Sequence, residues 1–250
     1  MAGIVCPKEK YTRACFTEEG GYCFEGIETF KQGTFRDTDK ALLDRLDFRD
    51  NVVLDLGCGC GEAMKYALER GSKKVIGVNF AQPAIKIAHD HLKGYPNVEL
   101  YCEDTLRFLQ SSLYELDLAD IVLMLDLIEH IPRAEVKELL QWLRCFVYPC
   151  AVIAINTPIF RHDNDVLVEG LKEQDSSDNC LQEVGVHCNR YTEKSLRQFM
   201  VDSGYKALSS QLFVDAKSIA PYPLQPDALT KPVVLDYAYQ NEDLVSAKPR

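Results

Sequence analysis

The residues with the clearest chemical signal are an aspartate and three alternating glycines at the end of an apolar run. The run Val52–Leu56 contains Asp55, and Gly57, Gly59 and Gly61 then alternate with other residues. An apolar run that ends in glycine is typical of a buried parallel strand followed by a tight turn and a helix. Glycine lets the backbone turn sharply and lets a ligand approach with no Cβ in the way. Such a turn, at the carboxyl end of a strand, is where open α/β sheets bind nucleotide-containing ligands.

The spacing of the glycines distinguishes two kinds of nucleotide site. The dinucleotide fingerprint is Gly-x-Gly-x-x-Gly, whereas here the third glycine comes one residue earlier and an acid precedes the first. The stretch resembles motif I of the class I S-adenosylmethionine (SAM) methyltransferases. The resemblance implies SAM as cofactor and S-adenosylhomocysteine as product. It also implies that the backbone of Gly57, Cys58 and Gly59 contacts the methionine part, with Asp55 near its amino group.

Two further strand ends carry residues that the resemblance assigns to the same cofactor. Asn79, followed by Phe80, ends the second predicted strand, where the family most often has an acid for the ribose hydroxyls. An amide oxygen can still accept one such hydrogen bond. Asp104 follows the third strand, where the family binds the adenine amino group with an acid and the ring with the next backbone N–H, here that of Thr105. Both positions have a structural alternative, because asparagine favours turns and aspartate caps helices.

Candidate residues for the acceptor side follow the fourth predicted strand. The resemblance places Leu125 against the cofactor and Asp126 towards the methyl donor, and some small-molecule members use a following Glu-His pair to orient or deprotonate the acceptor. Histidine suits general-base chemistry near neutral pH, so His130 is a candidate, with a structural role as the alternative. His187 lies in a His-x-x-x-Tyr-Thr segment similar to that of the ubiquinone-pathway O-methyltransferases. It could reach the acceptor or tie a loop to the sheet.

Alternating apolar and amphipathic segments must position these residues. Strands are predicted at 52–56, 74–79, 98–102, 119–125 and 150–156, with helices between them, and this alternation predicts a parallel sheet with right-handed crossovers. Late strands at 205–214 and 233–239 have no helix between them and predict an antiparallel pair. The layout resembles the methyltransferase sheet. We therefore predict an α/β, Rossmann-like, seven-stranded, mostly parallel sheet with helices on both faces, an antiparallel last pair and a lid insert after the fifth strand.

The 250 residues are predicted to form a single domain with four parts. Residues 1–36, in which aromatic residues and glycines interleave, form either a flap over a pocket or an arm packed on the core. Residues 37–156 form the cofactor-binding core. Residues 157–190 are polar and long enough to act as a lid over the substrate. Residues 191–243 complete the sheet.

Composition and charge restrict the partners. The net charge is −10 and the sequence has no Lys/Arg cluster, which disfavours a nucleic-acid partner or an anionic membrane surface. A neutral or cationic small-molecule acceptor fits this balance, and a homodimer is compatible with the sequence. No apolar run is long enough to span a bilayer, and no secretory segment is evident, so we expect a cytoplasmic protein with reduced thiols. The ten cysteines form no Cys-x-x-Cys pair, so we expect no metal site.

Three functions are compared on this basis. The first is a SAM-dependent methyltransferase that transfers a methyl group to an oxygen or nitrogen of a small molecule by in-line displacement. The second is a protein of the same fold that binds SAM or S-adenosylhomocysteine without methyl transfer, which the neutral Asn79 favours. The third is an NAD(P)-dependent reductase, which needs a Tyr-x-x-x-Lys pair. None of the twelve tyrosines has a lysine at that offset.

Overall fold

Seven strands form one sheet in the computed structural model, which describes residues 8, 11–17, 37–111, 116–160, 191–212 and 230–239. The strands are β1 Val52–Leu56, β2 Lys74–Val78, β3 Val98–Tyr101, β4 Ala119–Leu125, β5 Val147–Phe160, β6 Tyr205–Leu212 and β7 Thr230–Tyr239. Their spatial order is β3-β2-β1-β4-β5-β7-β6. β1 to β5 are parallel to one another, and β7 is antiparallel to both β5 and β6.

Helices connect the strands and cover both faces of the sheet. They are α1 Arg13–Thr17, α2 Asp37–Leu43, α3 Glu62–Glu69, α4 Gln82–His91, α5 Thr105–Ser111, α6 Arg133–Leu143 and α7 Glu193–Asp202. The mostly parallel sheet with its helices confirms the predicted Rossmann-like fold class. The described part of the chain contains no helix with the length and apolar character needed to cross a membrane.

Alternation along the strands produces two cores, one on each face of the sheet. Leu54 and Leu56 belong to the larger core, which β4, β5, α6 and α7 also build. Val53 and Leu123 point to the other face and pack with α2 and α3. Side chains with a period of two separate in this way when both faces of a strand are covered.

The order of the strands creates one switch point, between β1 and β4. From β1 the chain winds outward through β2 and β3, and it then returns to place β4 on the other side of β1. Asp55 of β1 lies in register with Leu123 of β4. Ligands of open α/β sheets bind at the carboxyl ends of the strands beside such a reversal, and the aspartate–glycine segment ends at this edge.

The fifth strand is longer than predicted. The polar insert was expected to begin at Thr157, but β5 continues to Phe160 because its last residues pair with the start of β7, with Asn156 opposite Val234 and Phe160 opposite Thr230. Pro158 does not end the strand, and it lies opposite Pro232 in this ladder. The remainder of the predicted lid, residues 161–190, lies outside the described residues.

The described part of the N-terminal segment packs on the core. Cys15 and Phe16 of α1 are buried in a small cluster with Cys60 of the glycine turn and Ala81 and Ala84 at the start of α4. These contacts favour an arm over a free flap for residues 11–17. The other predicted flap residues, apart from Lys8, lie outside the described ranges.

Candidate active site

The glycine turn has the backbone conformation that its sequence predicts. Gly57, Gly59 and Gly61 have φ angles of 81°, 53° and 86°, in the left-handed region that favours glycine. A Cβ at Gly57 would lie 2.9 Å from Leu127, and one at Gly61 would lie 3.1 Å from Leu92. At Gly59 the nearest atom would be a carboxylate oxygen of Glu62 at 3.6 Å. Packing therefore requires glycine at two of these positions, whereas a Cβ at Gly59 would make only an ordinary contact with the flexible Glu62 side chain.

The side chain of Cys58 points into the core, away from the surface of the glycine turn. It is buried, and its sulfur lies 3.1 Å from the position that a Cβ on Gly77 would occupy. Burial and the nearby Asp55 raise the pKa of this thiol well above its ordinary value. Cys58 can therefore contribute only its backbone to a ligand at the turn.

Asp55 is a buried carboxyl group among other acids. Its side chain is 2% exposed, and its Oδ2 has no hydrogen-bond partner among the described residues. Burial, followed by the charges of Glu62 and Asp39, raises the pKa of Asp55 to about 8. A buried acceptor oxygen without a donor is costly, so this position fits a cationic group such as the amino group of SAM.

Asp39 and Asn156 extend the acidic cluster across the sheet. The Asn156 amide donates to the Asp39 carboxylate over 2.7 Å, and both side chains are more than nine-tenths buried. The other amide atom, Asn156 Oδ1, has no hydrogen-bond partner within the described ranges. Neither residue was predicted to belong to the site. An aspartate at the start of a helix and an asparagine near the end of a strand both have ordinary structural roles.

Asn79 lies at the end of β2 and forms a local turn. Its Oδ1 accepts a hydrogen bond from the Ala81 backbone N–H over 2.8 Å. This is the structural role that the sequence left open. A carboxamide oxygen has two lone pairs, so the same atom can still accept from a ribose hydroxyl, and its NH2 group can only donate.

Asp104 caps α5 and also pairs with the N-terminal segment. Its Oδ1 accepts from the backbone N–H groups of Leu106 and Arg107, and its Oδ2 lies 2.7 Å from Lys8 Nζ. Burial alone would raise the pKa of Asp104, but the Lys8 ammonium and the two N–H donors outweigh it and lower the pKa. Thr105 is buried as the first residue of α5. The helix-cap alternative is thus present in the structure, and Lys8 occupies the oxygen that an adenine amino group would need.

A cavity of about 710 Å³ opens beside these residues. Its walls include Lys8, Tyr11, Phe80, Cys102 and Asp104. The Lys8 ammonium lies 5.3 Å from the centre of the Phe80 ring, and Tyr11 meets the same ring edge-on at 4.9 Å. The cavity therefore brings the predicted adenosine-binding residues Phe80 and Asp104 together with two N-terminal residues that the sequence analysis did not assign to a site.

The segment after β4 carries the predicted acceptor-side residues. Leu125 is half-buried, and Asp126 has a φ of 47°, which is rare for a residue other than glycine. The Asp126 backbone N–H donates to the Asn156 carbonyl over 2.9 Å. This bond holds the start of the segment against β5. Strained backbone of this kind is concentrated at functional sites.

The two residues of the Glu-His pair differ in burial: Glu129 is buried and His130 is partly exposed. Glu129 is 2% exposed and accepts a hydrogen bond from the Thr157 hydroxyl over 2.9 Å. His130 is half-buried, and its Nδ1 lies 3.2 Å from the Tyr11 hydroxyl. Glu129 thus anchors the segment to β5, whereas His130 remains beside the N-terminal arm. The other predicted histidine, His187, lies outside the described residues, which contain no cluster of three or more His, Cys, Asp or Glu side chains suited to a metal ion.

The raised pKa of Asp55 predicts a pH-dependent stability of the ligand-free protein. Because the folded state holds this proton more tightly than the unfolded chain, the free energy of unfolding should fall as the pH rises from the ordinary value of 3.8 towards about 8. Asp55→Asn has no proton to lose, so its stability should decline less between pH 6 and pH 8. Urea unfolding at several pH values measures the difference.

Asp44→Asn is the matched control for that experiment. Hydrogen bonds from Lys40 and Tyr66 lower the pKa of Asp44. Its contribution to the free energy of unfolding is therefore lost only in acid and stays constant between pH 6 and pH 8. Equal pH slopes for the wild type and Asp55→Asn would show that Asp55 is ionised in the folded protein and would contradict this description.

Comparison with known proteins points to the same cofactor. Residues 53–149 match a family model described as a methyltransferase domain. A carboxy-S-adenosyl-L-methionine synthase from Actinobacillus pleuropneumoniae is 27% identical over 134 residues, which cover 51% of this chain and 53% of that protein. The chain therefore spans about half the length of this curated relative.

Solved structures of low sequence identity share the fold. The N-methyltransferase NodS from Bradyrhizobium japonicum has a TM-score of 0.57 at 11% identity, covering 81% of this chain and 95% of that chain. The magnesium protoporphyrin IX methyltransferase from Synechocystis, solved with bound SAM, has a TM-score of 0.56 at 13% identity, covering 93% and 90%. The family match covers the glycine turn and the switch point, so residues 53–149 are similar to a methyltransferase domain.

Proposed function

We propose that this protein transfers a methyl group from SAM to a nitrogen or oxygen of a small-molecule acceptor. Two features of the glycine turn carry the proposal: a glycine whose backbone a ligand can approach, and a buried aspartate just before the turn. The Cβ position of Gly59 meets only the flexible Glu62 side chain, at 3.6 Å, and the Oδ2 of Asp55 is buried with no partner among the described residues. A backbone that a ligand can approach and an acceptor that needs a cation fit the amino-acid end of SAM.

The other end of the cofactor fits the remaining strand ends. Asn79 and Phe80 lie after β2, and Asp104 and Thr105 lie after β3. The neighbouring cavity offers an aromatic ring and a carboxylate for a purine. We propose that these residues hold the adenosine part and that Gly57, Cys58 and Gly59 hold the methionine part through their backbone. Lys8 would have to leave the Asp104 carboxylate when an adenine amino group binds there.

The acceptor side is assigned to the segment after β4. When bound, SAM supplies a methyl group on positively charged sulfur, and the lone pair of the acceptor forms the new bond as the carbon–sulfur bond breaks with its electrons moving to sulfur. The protein then has to align the acceptor and exclude water. Leu125 ends β4, the strand beside β1, and Asp126 follows it. His130 comes four residues later, and its Nδ1 lies 3.2 Å from the Tyr11 hydroxyl. We propose His130, Asp126 and His187 as the residues that contact or orient the acceptor.

Charge supports a neutral or cationic acceptor. The chain has a net charge of −10. Asp39 and Glu62 lie near Asp55, and Glu103 and Asp104 line the cavity. A phosphate-rich partner would be repelled by such an edge. We therefore propose small amines and hydroxyl compounds as the first acceptors to test. Release of S-adenosylhomocysteine and a product heavier by one methylene group would identify the acceptor.

Gly59→Val should abolish SAM binding, because the added side chain would stand where the cofactor is proposed to approach the backbone of the turn. Gly94→Val is the matched control, since Gly94 also has a positive φ, of 105°, and no atom within 4 Å of its Cβ position. Both changes strain the backbone, but only the first should prevent binding in calorimetry. Equal SAM affinity in the two variants would remove Gly59 from the site.

His130→Ala should lower turnover while leaving SAM affinity nearly unchanged, because the proposed cofactor contacts come from other strand ends. General-base catalysis contributes about 10²–10⁴-fold, so a loss below about tenfold would indicate that His130 only orients the acceptor. His89→Ala, a change at an exposed histidine of α4, is the control. Loss of SAM binding together with thermal stability would assign His130 a structural role and remove it from the site.

A further inference from the structure

We propose that Tyr11 is a positioning residue that fixes the neutral form of His130 with its proton on Nε2, so that His130 donates a hydrogen bond to the acceptor instead of removing a proton from it. This inference rests on the proposed function, because it concerns the acceptor side of the same site. The Tyr11 hydroxyl lies 3.2 Å from His130 Nδ1. The two rings are nearly perpendicular, at 83°, with centroids 6.3 Å apart.

Packing holds Tyr11 in this place. Its ring meets Phe80 edge-on at 84° and lies 6.5 Å from the Phe16 ring. Phe16 is itself 2% exposed in the cluster that joins α1 to the glycine turn. Edge-to-face aromatic pairs fix the orientation of both rings. The fold therefore sets the direction of the Tyr11 hydroxyl and holds it beside His130, although the two residues are 119 positions apart in the chain.

The chemistry of the two groups sets the direction of the hydrogen bond. A neutral imidazole has one nitrogen that donates and one that accepts, and the partner of one nitrogen determines the state of the other. A phenol O–H is a more acidic donor than an imidazole N–H, and an imidazole lone pair is a more basic acceptor than a phenol oxygen. The Tyr11 hydroxyl therefore donates to Nδ1 of His130. The proton of the neutral ring is then on Nε2, which leaves no free lone pair to act as a base.

The Nε2–H form of His130 restricts the kind of molecule that can be methylated at this site. A group that His130 holds through Nε2 must be a hydrogen-bond acceptor, and the net charge of −10 on the chain disfavours a carboxylate there. An atom that is methylated without a base must already have a free lone pair, as a neutral amine does. The ammonium product then releases its proton to solvent. We therefore infer an amine that also carries a neutral oxygen, such as a carbonyl, amide or hydroxyl group.

The tautomer of His130 can be read directly. Long-range proton–nitrogen NMR of ¹⁵N-histidine-labelled protein, saturated with S-adenosylhomocysteine, distinguishes an Nε2–H ring from an Nδ1–H ring, and His130→Gln identifies the signal. We expect Nε2–H in the wild type and a mixture of the two tautomers in Tyr11→Phe, which keeps the ring and its contact with Phe80. Tyr66→Phe, which removes a different buried hydroxyl bonded to Asp44, should leave the His130 signal unchanged.

An Nδ1–H signal in the wild type, or an unchanged tautomer in Tyr11→Phe, would overturn the proposal. If Tyr11→Phe does not fold, the wild-type tautomer alone decides it. No acceptor is needed for this measurement, so its outcome is separate from whether methyl transfer occurs.

Substitution of His130 gives a second readout once an acceptor is known. Glutamine carries an amide N–H donor near the position of Nε2 but cannot act as a base. His130→Gln should therefore keep turnover within about twofold of the wild type, whereas His130→Ala should lose about five- to tenfold, the cost of one hydrogen bond. Equal losses in the two variants would contradict the donor role. SAM affinity should be unchanged in both.

Discussion

The arrangement of the site depends on a buried carboxyl group at the switch point of the sheet. Asp55 occupies the last part of β1, where alternation directs its side chain into the smaller core beside Asp39 and Glu62. Because its Oδ2 is buried with no donor among the described residues, this carboxyl is unfavourable when it is ionised and is stabilised either by a proton or by a cation. The ligand-free fold therefore tolerates Asp55 at a cost that a bound ammonium group would remove. A residue of this kind is expected where stability has been exchanged for binding.

The N-terminal arm connects the two halves of the proposed site. Lys8 pairs with Asp104 at the adenosine end, and Tyr11 reaches His130 at the acceptor end. The same segment packs on the glycine turn through Phe16. Binding of adenine at Asp104 would release Lys8, while Tyr11 and Phe16 would keep their contacts with the core and His130. One short segment thus contacts both ends of the proposed site.

Much of this architecture could be predicted from the sequence, because it depends on local patterns. The strand and helix order follows from apolar alternation and turn residues, and the glycine spacing predicted the turn that the structure contains. The contacts that complete the site are different in kind. The Asp39–Asn156 bond joins residues 117 positions apart, and the Tyr11–His130 bond joins residues 119 apart. No periodicity relates such partners, and each residue has an ordinary local role, so only the folded chain brings them together. The length of β5 was missed for a related reason, since its last residues depend on pairing with β7.

We propose that the carboxyl edge of the sheet binds SAM with Asp55 opposite its amino group. Calorimetric titration of the ligand-free protein with SAM, S-adenosylhomocysteine and NADH, repeated in two buffers of different ionisation enthalpy, tests it most directly. The account predicts that the first two ligands bind and that binding at pH 7 releases a proton, because an ammonium group beside Asp55 returns its pKa from about 8 towards the ordinary range. Binding of NADH with no binding of either SAM or S-adenosylhomocysteine would contradict it.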